Sequence, residues 1–229
     1  QRPLQMVPTG DGRLTPATLD SCDVFPLFPM SPATPTAEWP ETALQLMAAR
    51  RTILPKRLVA PGPDAAQLHQ LFTAAATAPD HDQVQPWRFV VIPDSARASL
   101  ADVFGQALRD RDALATDAQV EQAREKAFRA PLLLLLVVDG TKGDPAVDVV
   151  ERMVSAGAAV QSLLLMATAQ GFGSALTSGK ALKADSFRRA FALADGEFAP
   201  CFISIGTVSA AKPGKPRPEP SAFVSTWGT

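Results

Sequence analysis

Residues 74–92 read AAATAPDHDQVQPWRFVVI and contain a helix end, a polar loop and the start of a strand. The apolar residues before this stretch recur at helical spacing. Pro79 ends the predicted helix because proline lacks an N–H donor and its ring clashes with the preceding turn. The apolar run 89–92 predicts a strand. A polar loop between a buried helix and a buried strand could hold a planar polar ligand, or it could simply complete a helix–turn–strand corner.

Composition and charge exclude several classes of protein. The 229 residues are 46% hydrophobic and 20% charged, with a formal net charge of −1. This length is enough for one domain with a full core, and the charge gives no general attraction to nucleic acid or to anionic membranes. No run approaches the roughly 20 apolar residues that a bilayer span requires. The sequence therefore predicts a protein without nucleic-acid or membrane partners.

The first residues differ in composition from the rest. Residues 1–37 carry seven prolines among glycine, threonine and aspartate, so we expect a flexible leader without helices or strands, followed by one domain over residues 38–229. Two cysteines provide no disulfide framework. The chain does not begin with a charged segment followed by an apolar one, as a secretory signal does. We therefore expect a cytoplasmic protein.

The second half of the chain alternates apolar strands with helices. Residues 132–138 are apolar throughout, which predicts a strand covered on both faces. Residues 147–170 predict a long helix that is apolar nearly all round and must be buried on most sides. A second copy of the chain is one way to cover it. The polar residues 174–180 predict a loop, and residues 223–227 suit an edge strand.

Arg50, Arg51 and Thr52 follow a helix that is predicted to begin near Pro40. Guanidinium groups match the geometry of a phosphate, and a threonine hydroxyl adds another donor. Arginines at a helix C-terminus also complement the helix dipole, which is the simpler explanation of the pair.

The arginine pair and the polar loop together resemble the FMN-dependent nitroreductase family. That family often carries an R-R-(S/T) opening and a later A-P-(S/D)-x-x-x-x-Q-P-W-x-F segment, which this chain matches at residues 50–52 and 78–89. In the family the R-R-(S/T) residues hold the FMN phosphate and ribityl chain, and the later segment contacts the flavin. The resemblance covers roughly residues 40–229, and it depends on the order and spacing of the motifs.

Two further segments resemble the family, one of them with departures. Residues 169–179 resemble the family's helix end and following W-R-(S/T)-G loop, which here reads Leu176, Thr177, Ser178 and Gly179. The tryptophan and arginine of that loop are absent, and Thr77 stands where relatives often carry an arginine beside the flavin. Lys215 and Arg217 match a K-x-R segment that reaches the FMN phosphate in many members, although a solvated basic linker would look the same.

The resemblance implies an α+β fold, a three-layer sandwich in which helices flank a central mixed sheet, built as a homodimer with FMN at the subunit interface. It implies no catalytic side chain. Asp80, His81 and Asp82 offer too few ligands for a metal site, so we expect none. The cofactor contacts that the resemblance implies are Arg50, Arg51, Thr52, Thr77, His81, Gln85, Leu176, Thr177, Ser178, Lys215 and Arg217.

The resemblance also implies the chemistry. NAD(P)H would reduce FMN and leave, and a small-molecule acceptor such as a nitroaromatic compound or a quinone would then take the electrons in a ping-pong reaction. Two alternatives stay open. The missing arginines would suit a flavin-binding carrier or regulatory protein with little turnover, and the same fold could serve a flavin dehydrogenase or an oxygen-using enzyme.

Overall fold

The computed structural model describes the backbone of residues 4–8 and 14–18, and residues 36–210 and 214–228 in full. The strands are β1 Leu4–Pro8, β2 Leu14–Thr18, β3 Leu58–Val59, β4 Trp87–Val91, β5 Leu132–Asp139, β6 Gly173–Thr177 and β7 Glu197–Val208. The α-helices are α1 Trp39–Ala49, α2 Ala65–Ala75, α3 Arg97–Arg111, α4 Asp117–Arg124, α5 Val149–Ala169 and α6 Asp185–Ala190.

Strands β3 to β7 form one sheet in the order β3-β7-β5-β4, with β6 also pairing with β7. Every pairing between these strands is antiparallel. A mixed sheet was expected. The parallel pairing that the structure describes is an isolated bridge between Thr52 and Ser174. Helices lie in every segment that connects two paired strands of this sheet, so none of these pairs is a hairpin.

Strand β5 is the centre of the fold, and its apolar residues divide the core in two. Leu132, Leu134 and Leu136 lie in one buried cluster with residues of α2 and α5. Leu133 and Leu135 lie in a second cluster with residues of α3 and the segment 182–191 that contains α6. Because successive side chains of a strand point to opposite faces, helices cover both faces of the sheet. The α+β three-layer sandwich is therefore confirmed.

Helix α5 confirms the prediction of a long helix over residues 147–170. By length and composition it is apolar enough to cross a membrane. Within this fold, however, residues such as Ala156, Leu163 and Ala167 are fully buried against the sheet and α2. The opposite side of α5 is exposed at Val150 and Val154. A core helix with one uncovered apolar side accounts for its composition.

Three sequence expectations about secondary structure were wrong. Residues 174–180 were expected to form a loop, but residues up to Thr177 belong to β6, because Ser174 and Ala175 are buried in pairing with β7. The leader contains the antiparallel hairpin of β1 and β2. A hairpin tolerates Pro16 because each strand of a two-stranded sheet has an outer edge that needs no donor. Flexibility was also expected of the other leader residues. Except for Thr36 and Ala37, they lie outside the residues that the structure describes.

The third wrong expectation concerns residues near the C-terminus. Residues 223–227 form no strand in this chain; a short 3-10 helix, Pro220–Ala222, precedes them, and they are exposed. A strand needs a neighbouring edge, and the chain's own sheet offers none at this place. Pairing with a second copy stays a prediction.

Candidate functional site

Three arginines, Arg50, Arg51 and Arg217, lie close together beside the C-terminal end of α1, where the backbone of Lys215 joins them. The guanidinium of Arg51 donates a hydrogen bond to the backbone carbonyl of Lys215 at 2.9 Å, and that of Arg217 donates to the carbonyl of Arg50 at 2.6 Å. The pKa of Arg50 is lowered by burial first, and then by repulsion from Arg217 and Arg51. We call Arg50, Arg51, Lys215 and Arg217 the cationic cluster.

The cationic cluster has no carboxylate partner in the part of the chain that the structure describes. Like charges held together without counter-charges destabilise a folded protein unless an anion joins them. Guanidinium groups bind phosphate through two parallel hydrogen bonds. The cluster is therefore suited to a phosphate group, as the sequence predicted from the same four residues.

Thr52 connects the cationic cluster to the sheet. It bridges to Ser174 in β6, and the backbone N–H of Ile53 donates to the Ser174 carbonyl at 2.8 Å. Gly173, at the start of β6, permits this approach, since a Cβ there would lie 2.5 Å from a methyl carbon of Val208. Strand β6 therefore begins beside the cationic cluster and ends at Thr177.

A cavity of about 520 Å³ opens where β6 ends. Its walls come from α3, α4, the sheet and residues 177–182. Apolar side chains form one part of its lining, namely Phe104, Leu108, Leu133 and Phe202; cationic side chains form another, namely Arg111, Lys126, Arg129 and Lys180. The volume lies within the roughly 300–1,000 Å³ of ordinary small-molecule sites.

Buried Arg97 shapes the segment that carries Lys126 and Arg129. Its guanidinium donates to the backbone carbonyls of Ala127 at 2.9 Å and of Pro131 at 3.2 Å. Burial lowers the pKa of Arg97. These hydrogen bonds hold the turn before β5 in place, so that Lys126 and Arg129 line the cavity.

The cavity-lining cations were missed by the sequence analysis. Arg111 ends α3, whereas Lys126 and Arg129 belong to the short turn before β5. None of them belongs to a recognisable motif, since three separate segments supply them. No local pattern in the sequence marks them as neighbours.

The polar loop 80–85 has an unusual backbone and its own partners. Asp82, Gln83 and Gln85 have positive φ angles of 50°, 55° and 46°. The Nδ1 atom of His81 lies 2.7 Å from a carboxylate oxygen of Glu151. The pKa of His81 is raised, mainly by this hydrogen bond and then by the negative charge of Asp82.

In one chain this loop lies far from the cationic cluster. Trp87, which follows the loop, pairs with Val138 at the end of β5, whereas Ser174 pairs with Ile205, which pairs with Leu132 at the start of β5. The six steps of strand from Leu132 to Val138 span roughly 20 Å. The loop also lies at the β4 edge of the sheet, and β6 lies at the other.

The structure thus divides the predicted cofactor contacts into two regions. One region contains Arg50, Arg51, Thr52, Leu176, Thr177, Ser178, Lys215 and Arg217, although Leu176 does not line the cavity. The other, at the end of α2 and in the loop, contains Thr77, His81 and Gln85. Within one chain, a ligand held by the cationic cluster would lie far from the loop 80–85. Among the described residues, no group of three or more His, Cys, Asp or Glu could hold a metal ion.

The model of the Nitroreductase family matches residues 47–207. An Escherichia coli (strain K12) protein named "Putative NAD(P)H nitroreductase YdjA" is 33% identical over 184 residues, which cover 80% of this chain and 98% of that protein.

Two solved structures have the same fold. The Nitroreductase-like Family Protein from Bacillus cereus has a TM-score of 0.69 at 18% identity, covering 87% of this chain and all (100%) of that one. A variant of the FMN and NADPH-dependent nitroreductase NfnB from sphigopyxis sp. strain HMH has a TM-score of 0.64 at 19% identity, covering 82% of this chain and 99% of that one. By its family match and its relatives, the chain belongs to the Nitroreductase family.

Proposed function

We propose that the protein is an FMN-dependent oxidoreductase that uses NAD(P)H to reduce nitroaromatic or quinone-like acceptors. The observation that carries this proposal is the cationic cluster, free of carboxylate partners among the described residues, and its connection through Thr52 and β6 to a cavity of about 520 Å³. The names of its relatives support it, since one is called a putative NAD(P)H nitroreductase and another an FMN and NADPH-dependent nitroreductase.

The residues present fit FMN as a ligand. The cationic cluster would hold the phosphate, with the Thr52 hydroxyl as a further donor, and the cavity beside Thr177 and Ser178 would receive the ring system. The apolar floor, which includes Phe104 and Phe202, suits a planar ring. Bound FMN would supply the two-electron chemistry. Overall, NAD(P)H, a proton and a quinone would give NAD(P)⁺ and a hydroquinone.

The protein's own contribution is position and charge. Arg111, Lys126, Arg129 and Lys180 surround the cavity with positive charge. Positive groups near a reduced flavin favour its anionic form. Arginines that relatives often carry beside the flavin are absent at positions 77 and 177, which would weaken the positive field there. These four side chains supply such a field from other segments, which favours an enzyme over a carrier with little turnover.

We propose further that the active form is a homodimer. Apolar side chains are exposed on α1, on α5 and near the C-terminus, among them Leu44, Met47, Val150, Val154 and Trp227. Exposed apolar residues on neighbouring helices commonly mark an interface. A second copy would cover them, and its loop 80–85 could then complete the site of the first. Both regions of predicted cofactor contacts would serve one ligand in this way. We place the activity in the cytoplasm, where NAD(P)H is available.

The decisive test begins with the purified protein under anaerobic conditions. We expect yellow protein whose long-wavelength flavin absorption is lost when NADH or NADPH is added and returns when a quinone follows. Flavin that stays oxidised with both nucleotides would favour the carrier alternative. Protein that binds no FMN would contradict the proposal.

A further inference from the structure

The arginines on α3 and α4 differ in their partners according to whether they line the cavity. Outside the cavity, Arg109 pairs with Asp117 at 3.3 Å. Arg124, also outside it, pairs with Asp102 and, at 3.3 Å, with Glu121. Each of these exposed arginines thus has a carboxylate partner close by.

The four cationic side chains that line the cavity form no ion pair within residues 36–210 and 214–228. They are Arg111, Lys126, Arg129 and Lys180. The lining contains one carboxylate, that of Asp112, which accepts a hydrogen bond from the backbone N–H of Leu114 at 3.0 Å. One concave surface therefore carries an excess of three positive charges, four cations less one carboxylate. Such a surface attracts anions.

FMN alone does not account for this excess. Its phosphate would be held by the separate cationic cluster, and the ring system of oxidised flavin is neutral. A reduced flavin would bring one negative charge. Positive charge would still remain in the lining, which includes Arg111 and Lys180, and it is available to another ligand.

The rest of the lining indicates what that ligand looks like. The rings of Phe104 and Phe202 pack edge to face, with centroids 5.6 Å apart. Leu108 and Leu133 extend this apolar surface. An aromatic ring buries its faces well against such a surface, while an anionic substituent would meet the cationic side chains around it.

We propose that the preferred electron acceptor of this protein is an aromatic compound with an anionic substituent such as a carboxylate, and that Arg111 and Lys180 bind that substituent. The inference rests on the proposed function, because it names the class of acceptor that the same cavity takes.

The test compares 4-nitrobenzoate with its neutral counterpart 4-nitrobenzamide. The amide group withdraws more electron density, so the nitro group of the amide is the easier one to reduce. A higher kcat/KM for the carboxylate therefore cannot come from the acceptor's own reactivity. We expect the ratio of kcat/KM, carboxylate over amide, to exceed one and to fall as ionic strength rises.

Variants of the cavity residues test which side chains cause the preference for the carboxylate. Arg111→Gln should lower the ratio by about tenfold, the loss expected from one charge-assisted hydrogen bond, and Arg111→Lys should restore most of it. Lys180→Gln gives an independent second test. The matched control is Arg109→Gln, on the same helix but outside the cavity, which should leave the ratio unchanged. A parent ratio of one or less, or a ratio that neither Arg111→Gln nor Lys180→Gln lowers, would overturn the inference.

A binding measurement separates this inference from the proposed function. Calorimetry on the protein as purified should show benzoate binding more tightly than benzamide, and Arg111→Gln should remove the difference. Calorimetry can show this difference even if the protein reduces no acceptor. The proposed function would then be wrong, while the selectivity for anions would still hold. Equal affinities for benzoate and benzamide, together with active NAD(P)H oxidation, would contradict the selectivity alone.

Discussion

The guanidinium of Arg217 donates a hydrogen bond to the backbone carbonyl of Arg50 at 2.6 Å, across 167 positions of the chain. Arg51 donates in the opposite direction, to the carbonyl of Lys215. Two chain segments thus hold each other in place through side chains that bring positive charge with them. Because no carboxylate among the described residues neutralises this charge, the arrangement indicates an anionic ligand, and the proposed function depends on it.

The first prediction concerns the start of β6. Gly173→Ala should lower the free energy of unfolding by about 1–3 kcal/mol, the usual cost of overpacking, because the new methyl group would lie 2.5 Å from Val208 and 2.9 Å from Leu58. Thermal or urea unfolding measures it. Gly179→Ala is the control, because a Cβ there meets nothing within 4 Å. Equal stability of the two variants would show that β6 does not pack as described.

The second prediction concerns His81 and pH. Its pKa is raised above the ordinary 6.5, mainly by the hydrogen bond with Glu151 and then by the charge of Asp82. A pKa raised by folding means that protonated His81 stabilises the fold. This stabilisation is complete below the unfolded pKa and is lost as pH rises through the folded pKa.

Glu151→Gln should therefore bring the His81 pKa down towards its ordinary value, as an NMR titration of the ring would show. Unfolding midpoints taken between about pH 6 and pH 8, the range in which histidine titrates, should fall more steeply in the parent than in the variant. Parallel curves and an unchanged pKa would contradict the hydrogen bond.

The third prediction concerns the homodimer. We expect the protein to sediment as a dimer and the double variant Val150→Glu with Val154→Glu to sediment as a monomer, because buried charges without partners are costly. In the single chain these valines are 66% and 65% exposed. Leu114→Glu is the control, since Leu114 is 91% exposed but lies in the turn between α3 and α4. A monomeric parent at micromolar concentration would contradict the dimer.

One part of the candidate site has a pattern that is local in the sequence. Arg50, Arg51 and Thr52 are consecutive, and the basic tail with Lys215 and Arg217 is short, so each carries a pattern that can be read directly. The structure shows that these two segments meet. The three-layer fold was predicted from the resemblance to the nitroreductase family, whose motifs are also local.

Other features could not be predicted because they depend on tertiary contacts. Strand β6 resembles a polar loop in sequence, and only its position beside β7 buries Ser174. The cavity brings together Arg111, Lys126 and Lys180 from three segments, and no local pattern indicates that they meet. The distance between the loop 80–85 and the cationic cluster likewise follows from strand register, which the sequence alone does not reveal.

The proposed function requires that Arg50 and Arg51 bind the phosphate of FMN. The double variant Arg50→Ala with Arg51→Ala removes two guanidinium groups, and charge-assisted hydrogen bonds contribute about 1.5–3 kcal/mol each. We therefore expect FMN affinity to fall by several hundred-fold or more. Riboflavin lacks the phosphate, so its affinity should be about equally weak for parent and variant.

The most direct measurement is thus the dissociation constants of FMN and riboflavin for both proteins, with unfolding curves to verify that the variant folds. If the two arginines only complement the end of α1, each contributes roughly 0.3–1 kcal/mol to stability and FMN binding is retained. If the two arginines bind the phosphate, the double variant loses most of its FMN affinity and keeps its riboflavin affinity. An unchanged FMN affinity in the double variant would contradict it.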